Sequence, residues 1–180
     1  MRRMAAITAE ELERLNLPGK RTELVRGQLI VREPASWVHG DVVVNLTLAI
    51  GGHVKANKLG KVLGAETGFT LFRNPDTVRA PDVAFVRRER VPDPPPQGFA
   101  AITPDLAVEV LSPGDRPGEV RDKVVDWLRA GCSLVWIVDP IKRVAHVYRA
   151  NETNTFIDKD GVLDGENVLP GFALPLKDVL

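Results

Sequence analysis

Leu106-Ala107-Val108-Glu109-Val110-Leu111 is an apolar run broken by one glutamate. Runs of this kind belong to strands covered on both faces, as in a sheet with helices on either side. Side-chain alternation puts Glu109 with Ala107 and Leu111, opposite Val108 and Val110. An unpaired carboxylate in such a strand is costly, so Glu109 needs a partner or a purpose. Just downstream, residues 117–130 read as a helix with the apolar stripe Val120, Val124, Trp127 and Leu128, stopped by Gly131. Residues 133–138 form a second apolar run, stopped by Asp139-Pro140. Strand, helix and strand in that order are the parts of a parallel crossover unit.

Upstream, Thr8 and Glu11 make a capping box, and Leu12 and Leu15 follow at helical spacing. This short helix is expected to end at Leu17-Pro18-Gly19. Residues 22–31 predict a hairpin that turns at Arg26-Gly27. Ser36 caps a predicted helix over 37–58, with Val42, Leu46, Ala49, Ile50 and Val54 on one face. Gly51-Gly52 weakens that helix by about 1 kcal/mol per glycine. Residues 61–72 read as one or two strands, and 77–86 as a single strand. Pro92-Asp93-Pro94-Pro95-Pro96 is a stiff loop, 143–149 another strand, and 158–161 a turn. The expected fold is a single α/β domain over 1–180, a mixed β-sheet flanked by helices.

Composition permits this. The 180 residues suffice to bury a core, and 44% hydrophobic with 27% charged is ordinary for a globular chain. Lys+Arg and Asp+Glu are both 24, so the net charge is zero, which disfavours a role coating nucleic acid non-specifically. Cys132 is the single cysteine, so no internal disulfide forms and a reducing, cytoplasmic setting is expected. Met1-Arg2-Arg3-Met4 is basic, but no apolar run of signal-peptide length follows, and nothing approaches the roughly 18 apolar residues that cross a bilayer. There is no phosphate-binding glycine loop, dinucleotide fingerprint or zinc spacing, so no organic cofactor is expected.

The chemistry is expected at three residues. Asp82 follows Pro81 at the head of an apolar segment, Val83-Ala84-Phe85-Val86. If that strand pairs with the Glu109 strand, both carboxylates reach one sheet edge. Close carboxylates repel unless a cation lies between them, and Mg²⁺ or Mn²⁺ takes oxygen ligands in that way. Lys123 flanks the apolar stripe of its helix and can reach inward. A lysine there can orient a water and steady charge developing on phosphate. The plainer readings are a structural ion pair for Glu109, a turn residue for Asp82, and an exposed pair with Glu119 for Lys123. His39 falls on the inward face of its helix, Cys132 reads as a small core residue, and Arg87-Arg88-Glu89-Arg90 is a basic run able to touch a phosphate backbone.

Pro81-Asp82 followed by Glu109 resembles the PD-(D/E)XK nuclease signature. More closely, the chain resembles the bacterial Uma-two family of endonuclease-like proteins. The matching pieces, in order, are Glu23-Leu24-Val25-Arg26-Gly27, His39, Arg79-Ala80-Pro81-Asp82-Val83, the Glu109 strand, Lys123 with Ala130-Gly131, Trp136-Ile137-Val138-Asp139-Pro140, and Leu169-Pro170-Gly171. The resemblance implies a restriction-endonuclease-like fold and metal ligation by Asp82 and Glu109, with Glu23 as a further acid and His39 as an active-site neighbour. It also implies DNA as substrate and a homodimer. One departure stands out: the lysine expected two residues after the glutamate is Leu111 here, and the resemblance implies that Lys123 on the next helix replaces it. Two other readings compete with a metal-dependent DNA endonuclease. One is a nuclease fold without activity that binds nucleic acid or protein; the other is a hydrolase of smaller phosphoesters.

Overall fold

Residues 6–15 and 17–180 are described by the computed structural model; Met1-Arg2-Arg3-Met4 lies outside them. The chain begins with helix α1 (Ala9–Arg14), where Thr8 and Glu11 form the capping box. It ends earlier than the Leu17-Pro18-Gly19 stop expected of it. Strands β1 (Arg21–Val25) and β2 (Gln28–Arg32) form the hairpin, with Glu23 opposite Ile30. Arg26 and Gly27 both take positive φ, at 49° and 76°, as a two-residue turn matched to the twist of its strands requires. Helix α2 (Trp37–Asn57) starts at Ser36, whose hydroxyl accepts the His39 N–H.

Next come β3 (Gly60–Leu63), β4 (Phe69–Phe72), β5 (Thr77–Arg79) and β6 (Val83–Arg87). A short 3-10 turn, Arg88–Arg90, and the proline loop lead to β7 (Leu106–Val110). Helix α3 (Pro117–Arg129) then connects to β8 (Leu134–Asp139) and β9 (Val144–Arg149). The chain closes with β10 (Asn154–Ile157), β11 (Val162–Asp164), β12 (Ala173–Pro175) and a 3-10 turn, Leu176–Asp178.

A six-stranded sheet in the order β10-β9-β8-β7-β6-β3 is the frame of the site. It is mixed: β7 and β8 run parallel, and the other neighbours are antiparallel. α3 is the crossover between the parallel pair. On one face of the sheet, Val42, Leu46, Ile50 and Val54 of α2 meet Val83, Phe85, Val108, Val110 and Trp136. On the other, Val124 and Trp127 of α3 meet Ala84, Ala107, Val135 and Ile137. Strand β7 is buried along its whole length, as its composition demands. A smaller sheet, β2-β1-β5-β4, carries α1 on a separate cluster of Ala9, Leu12, Leu24 and Val78.

The expected single strand over 77–86 is two strands in two sheets. β5 pairs with β1 in the smaller sheet, and β6 pairs with β7 in the larger. The chain changes sheets at Ala80-Pro81-Asp82, where Pro81 has no N–H to continue a ladder and Glu23 accepts the Ala80 N–H. The stretch 61–72 divides the same way, β3 in one sheet and β4 in the other. Strands β10 to β12 carry no alternation that marked them in the sequence.

Candidate active site

The change of sheets at Ala80-Pro81-Asp82 brings the chemistry together. Val83 pairs with Val108, so Asp82 stands beside the end of β7 that carries Glu109. The Asp82 N–H donates to Val108 O (3.0 Å), and the Val110 N–H donates to Asp82 Oδ2 (2.8 Å). From the opposite layer, His39 Nε2 lies 3.2 Å from the same Oδ2. Asp82 Oδ1 faces the Arg21 guanidinium at 3.7 Å. The Val110 N–H and the His39 ring thus fix Oδ2, and Oδ1 has the Arg21 guanidinium as its neighbour.

Glu109 points to the α3 face, as alternation requires. Lys123 Nζ donates to its Oε2 (2.8 Å) and Trp127 Nε1 to its Oε1 (3.0 Å). The two donors are four residues apart, on one face of α3. Lys123 also lies 3.5 Å from Glu23. It does not pair with Glu119, which accepts instead from Arg32 (2.9 Å).

Glu23 enters from β1. Its Oε1 accepts the Ala80 N–H (3.2 Å) and its Oε2 accepts from Arg79 (3.2 Å). Arg79 in turn donates through Nε and Nη2 to Asp126 of α3. Arg79, Asp126 and Trp127 are therefore partners of the site to which the sequence assigns no site role. Arg79 and Asp126 are buried ions, and the helical spacing of Asp126 from Lys123 was the available clue. Arg21 joins them, since β1 starts one residue before the hairpin expected over 22–31.

The charges settle into a definite pattern. Burial pushes the Glu109 carboxyl above the ordinary carboxylate range; Lys123 opposes this, while Asp82 and Glu23 add to it. Burial also works to raise Glu23, but Lys123 and Arg79 outweigh it and hold that carboxyl low. Lys123 is held above the usual lysine value, because Glu109 and Glu23 more than offset its burial. It is an ammonium throughout the neutral range, able to donate and to screen charge but not to take a proton.

Asp82, Glu109, Glu23, Lys123 and His39 all line one cavity of about 140 Å³, together with Arg21. That is room for several waters or a small group such as a phosphate. His39 Nδ1, Arg21 Nε and Ser112 Oγ are buried without a hydrogen-bond partner, and all three residues line this cavity. Among the described residues, no group of three or more His, Cys, Asp or Glu side chains is gathered closely enough to cage a metal. The donor set is instead two carboxylates, Glu109 with both oxygens in hydrogen bonds and Asp82 with its Oδ1 facing the Arg21 guanidinium at 3.7 Å. This suits Mg²⁺, which keeps waters and takes one or two carboxylates plus substrate oxygens.

The other sequence candidates lie elsewhere. Cys132 is fully buried in the α3-side core, and burial pushes its thiol up to about 12. In the basic run, Arg90 turns its Nη1 onto the buried Asp105 (2.7 Å), which also accepts the Arg87 backbone N–H (2.8 Å), while the Arg87 guanidinium donates to Asn167 O (2.9 Å). Among the described residues, no helix is long and apolar enough to cross a membrane.

Comparison with known proteins agrees with this architecture. A crystal structure from Anabaena variabilis, described as "a putative nuclease belonging to DUF820", superposes with a TM-score of 0.84 at 21% identity, covering 96% of this chain and 97% of that one. At that identity the match speaks for the fold. No curated protein matches the sequence. The family model Uma2, described as "Putative restriction endonuclease", matches residues 9–177. With nearly the whole chain so matched, the protein belongs to the Uma2 family.

Proposed function

We propose that this protein is an endonuclease that hydrolyses phosphodiester bonds in DNA with Mg²⁺ or Mn²⁺ held by Asp82 and Glu109. The observation that carries this reading is the meeting of two carboxylates and an ammonium, drawn from three different elements, in one phosphate-sized cavity. A divalent ion bound there would supply Lewis acidity and a more acidic water. Asp82 is oriented for its part by the Val110 N–H and His39. Lys123 shares Glu109 with the metal site and faces the cavity as a fixed positive charge, where it orients the attacking water and steadies the phosphate oxygens. Glu23, whose oxygens like those of Glu109 both accept hydrogen bonds, is the further acid of the site and also holds Lys123 and Arg79. Arg21, whose guanidinium keeps an unpartnered Nε, is the cation placed to hold the scissile phosphate.

The same fold without activity is the competing reading, favoured by Leu111 at the usual lysine position. Incubation with supercoiled plasmid and single-stranded DNA separates the two. Cleavage is expected with Mg²⁺ or Mn²⁺ and none with chelator. Lys123→Met should slow cleavage on the order of 10²-fold, the scale of one lost charge-stabilising donor, with far-UV circular dichroism unchanged. If wild-type protein neither cuts nor binds Mn²⁺ in a direct titration, the inactive-fold reading stands and this one falls.

A further inference from the structure

A second cavity, of about 820 Å³, lies at the edge of the larger sheet and has no part in the site described above. β3 is the edge strand there. Lys61 and Leu63 share one of its faces, and Lys61 pairs with Val86 of β6. Leu63, Val86, Val91 and Ile102 pack with the α3-side cluster, so the cavity opens on the α3 side of the sheet over an apolar floor. The proline loop adds Pro92, Pro95 and Pro96 to its walls, and the last turn of α2 adds Val54 and Lys55. Small-molecule sites are concave and mainly apolar, with volumes of about 300–1,000 Å³.

The rim of this cavity is cationic. Lys55, Lys58, Lys61 and Arg88 all line it and are exposed, and Asp93 is the only carboxylate among its described lining residues. Among the described residues none of the four cations is ion-paired, whereas Arg90 of the same basic run is held by Asp105. A helix C-terminus draws cations toward its carbonyls, which accounts for Lys55 and Lys58. It does not account for Lys61, on a strand, or for Arg88, in the turn after β6. In a chain of zero net charge, four unpaired cations around one apolar cavity suit an anionic occupant with an apolar body.

The second cavity stands back to back with the active-site cavity. Glu66, Gly68 and Phe99 line the active-site side, and Thr67, Gly98 and Ala100 the other. The Ala100 N–H donates to Gly68 O (3.0 Å) and the Thr70 N–H to Ala100 O (2.9 Å), so the partition is a single layer of chain. We propose that the second cavity holds one unpaired nucleotide of the DNA strand being cut, a short way along that strand from the scissile phosphate. Its base lies on the apolar floor beside the proline rings, and its phosphates rest on Lys58, Lys61 and Arg88. DNA as the source of the nucleotide rests on the nuclease reading. The cavity then sets the substrate class: a nucleotide enters only after leaving the base stack, which costs least in single-stranded or mismatched DNA.

Fluorescence anisotropy of a labelled oligothymidylate of about 12 nucleotides, titrated with the full chain in chelator, reads binding apart from cleavage. Lys61→Ala and Arg88→Ala should each flatten the slope of log affinity against log salt by about 0.7, one phosphate contact apiece. Ile102→Lys adds a cation but fills the cavity. It should weaken binding on the order of tenfold, the scale of one lost base contact, where a merely basic surface would bind more tightly. Thr67→Arg makes the same test if Ile102→Lys does not melt like wild type. Failure of wild type to bind the strand overturns the proposal, as do an unchanged salt slope and affinity in these variants, or tighter binding by the filled cavity. Variants that lose only free thymidine monophosphate, or only phosphatidylserine vesicles, overturn it too, giving the cavity to a free nucleotide or a lipid. Cutting of the same oligonucleotide with Mg²⁺ is scored separately. Cutting with indifferent variants sinks the cavity and spares the nuclease reading; variant-sensitive strand binding without cutting upholds the cavity and sinks that reading.

Discussion

Glu109→Gln is expected to reduce metal-dependent DNA cleavage by about 10³-fold or more, which corresponds to about 4 kcal/mol of transition-state stabilisation. The amide keeps the shape of the side chain and can still accept from Trp127 Nε1, but it cannot carry the charge that holds a divalent ion. The fold should survive the change. Burial already drives this carboxyl above its ordinary range, so removing its charge relieves a desolvation cost even as Lys123 loses a partner. Lys123 retains Glu23 at 3.5 Å. Single-turnover cleavage measured beside thermal melting checks both halves. A variant that cuts normally would remove Glu109 from the site. One that neither cuts nor folds would call for Asp82→Asn as the second test, since Asp82 lies at the end of the sheet rather than within it.

Arg79→Ala is expected to be the most destabilising single change in the site, by about 3–5 kcal/mol, the cost of leaving buried charge without its counter-ion. Arg79 is buried between Glu23 and Asp126, which are themselves buried and which belong to different layers. Arg79→Lys should recover only part of the loss, because an ammonium cannot reproduce the fork that reaches both carboxylates at once. The pH dependence has a definite sign. Arg79 is one of the two cations that hold the Glu23 carboxyl low, so its loss raises that folded-state pKa from its wild-type position; the deficit is present at neutral pH and shrinks as pH falls toward about 4. Urea unfolding at neutral and acidic pH measures this. A deficit independent of pH would mean that Arg79 acts through packing and not through charge.

The larger sheet was legible in the sequence because its central strands are chemically extreme. β7 and β8 are apolar on both faces and admit one reading, and α3 between them shows a clear stripe. Glu109 was conspicuous for the same reason: a carboxylate in such a strand demands an explanation. The change of sheets at Ala80-Pro81-Asp82 was not legible, since Val78 and Val83 look alike and only tertiary pairing separates them. Pro81 marked the place without saying what happened there. The pairing of Arg79 with Asp126 was not legible, because long-range ion pairs leave no periodic trace: the two residues are 47 positions apart. Glu23 was singled out by resemblance, and nothing in its hairpin showed that Arg79 would occupy it.

Lys123 and Trp127, which together hold Glu109, both belong to the crossover helix. α3 buries only Val124, Asp126 and Trp127 of its thirteen residues, whereas β8 buries all six of its own. Local opening costs least where few apolar groups are covered. A transient release of α3 would leave the sheet standing and yet strip Glu109 of both donors in one event. The competent population is then smaller than the folded population, and observed turnover scales with that fraction. Hydrogen exchange should show amides of 117–129 losing protection faster than those of 134–139; equal rates would mean that helix and sheet open as one unit. The crossover that makes a parallel pair possible would thus also serve as the clasp of the reaction centre, setting how often the site is assembled as well as where.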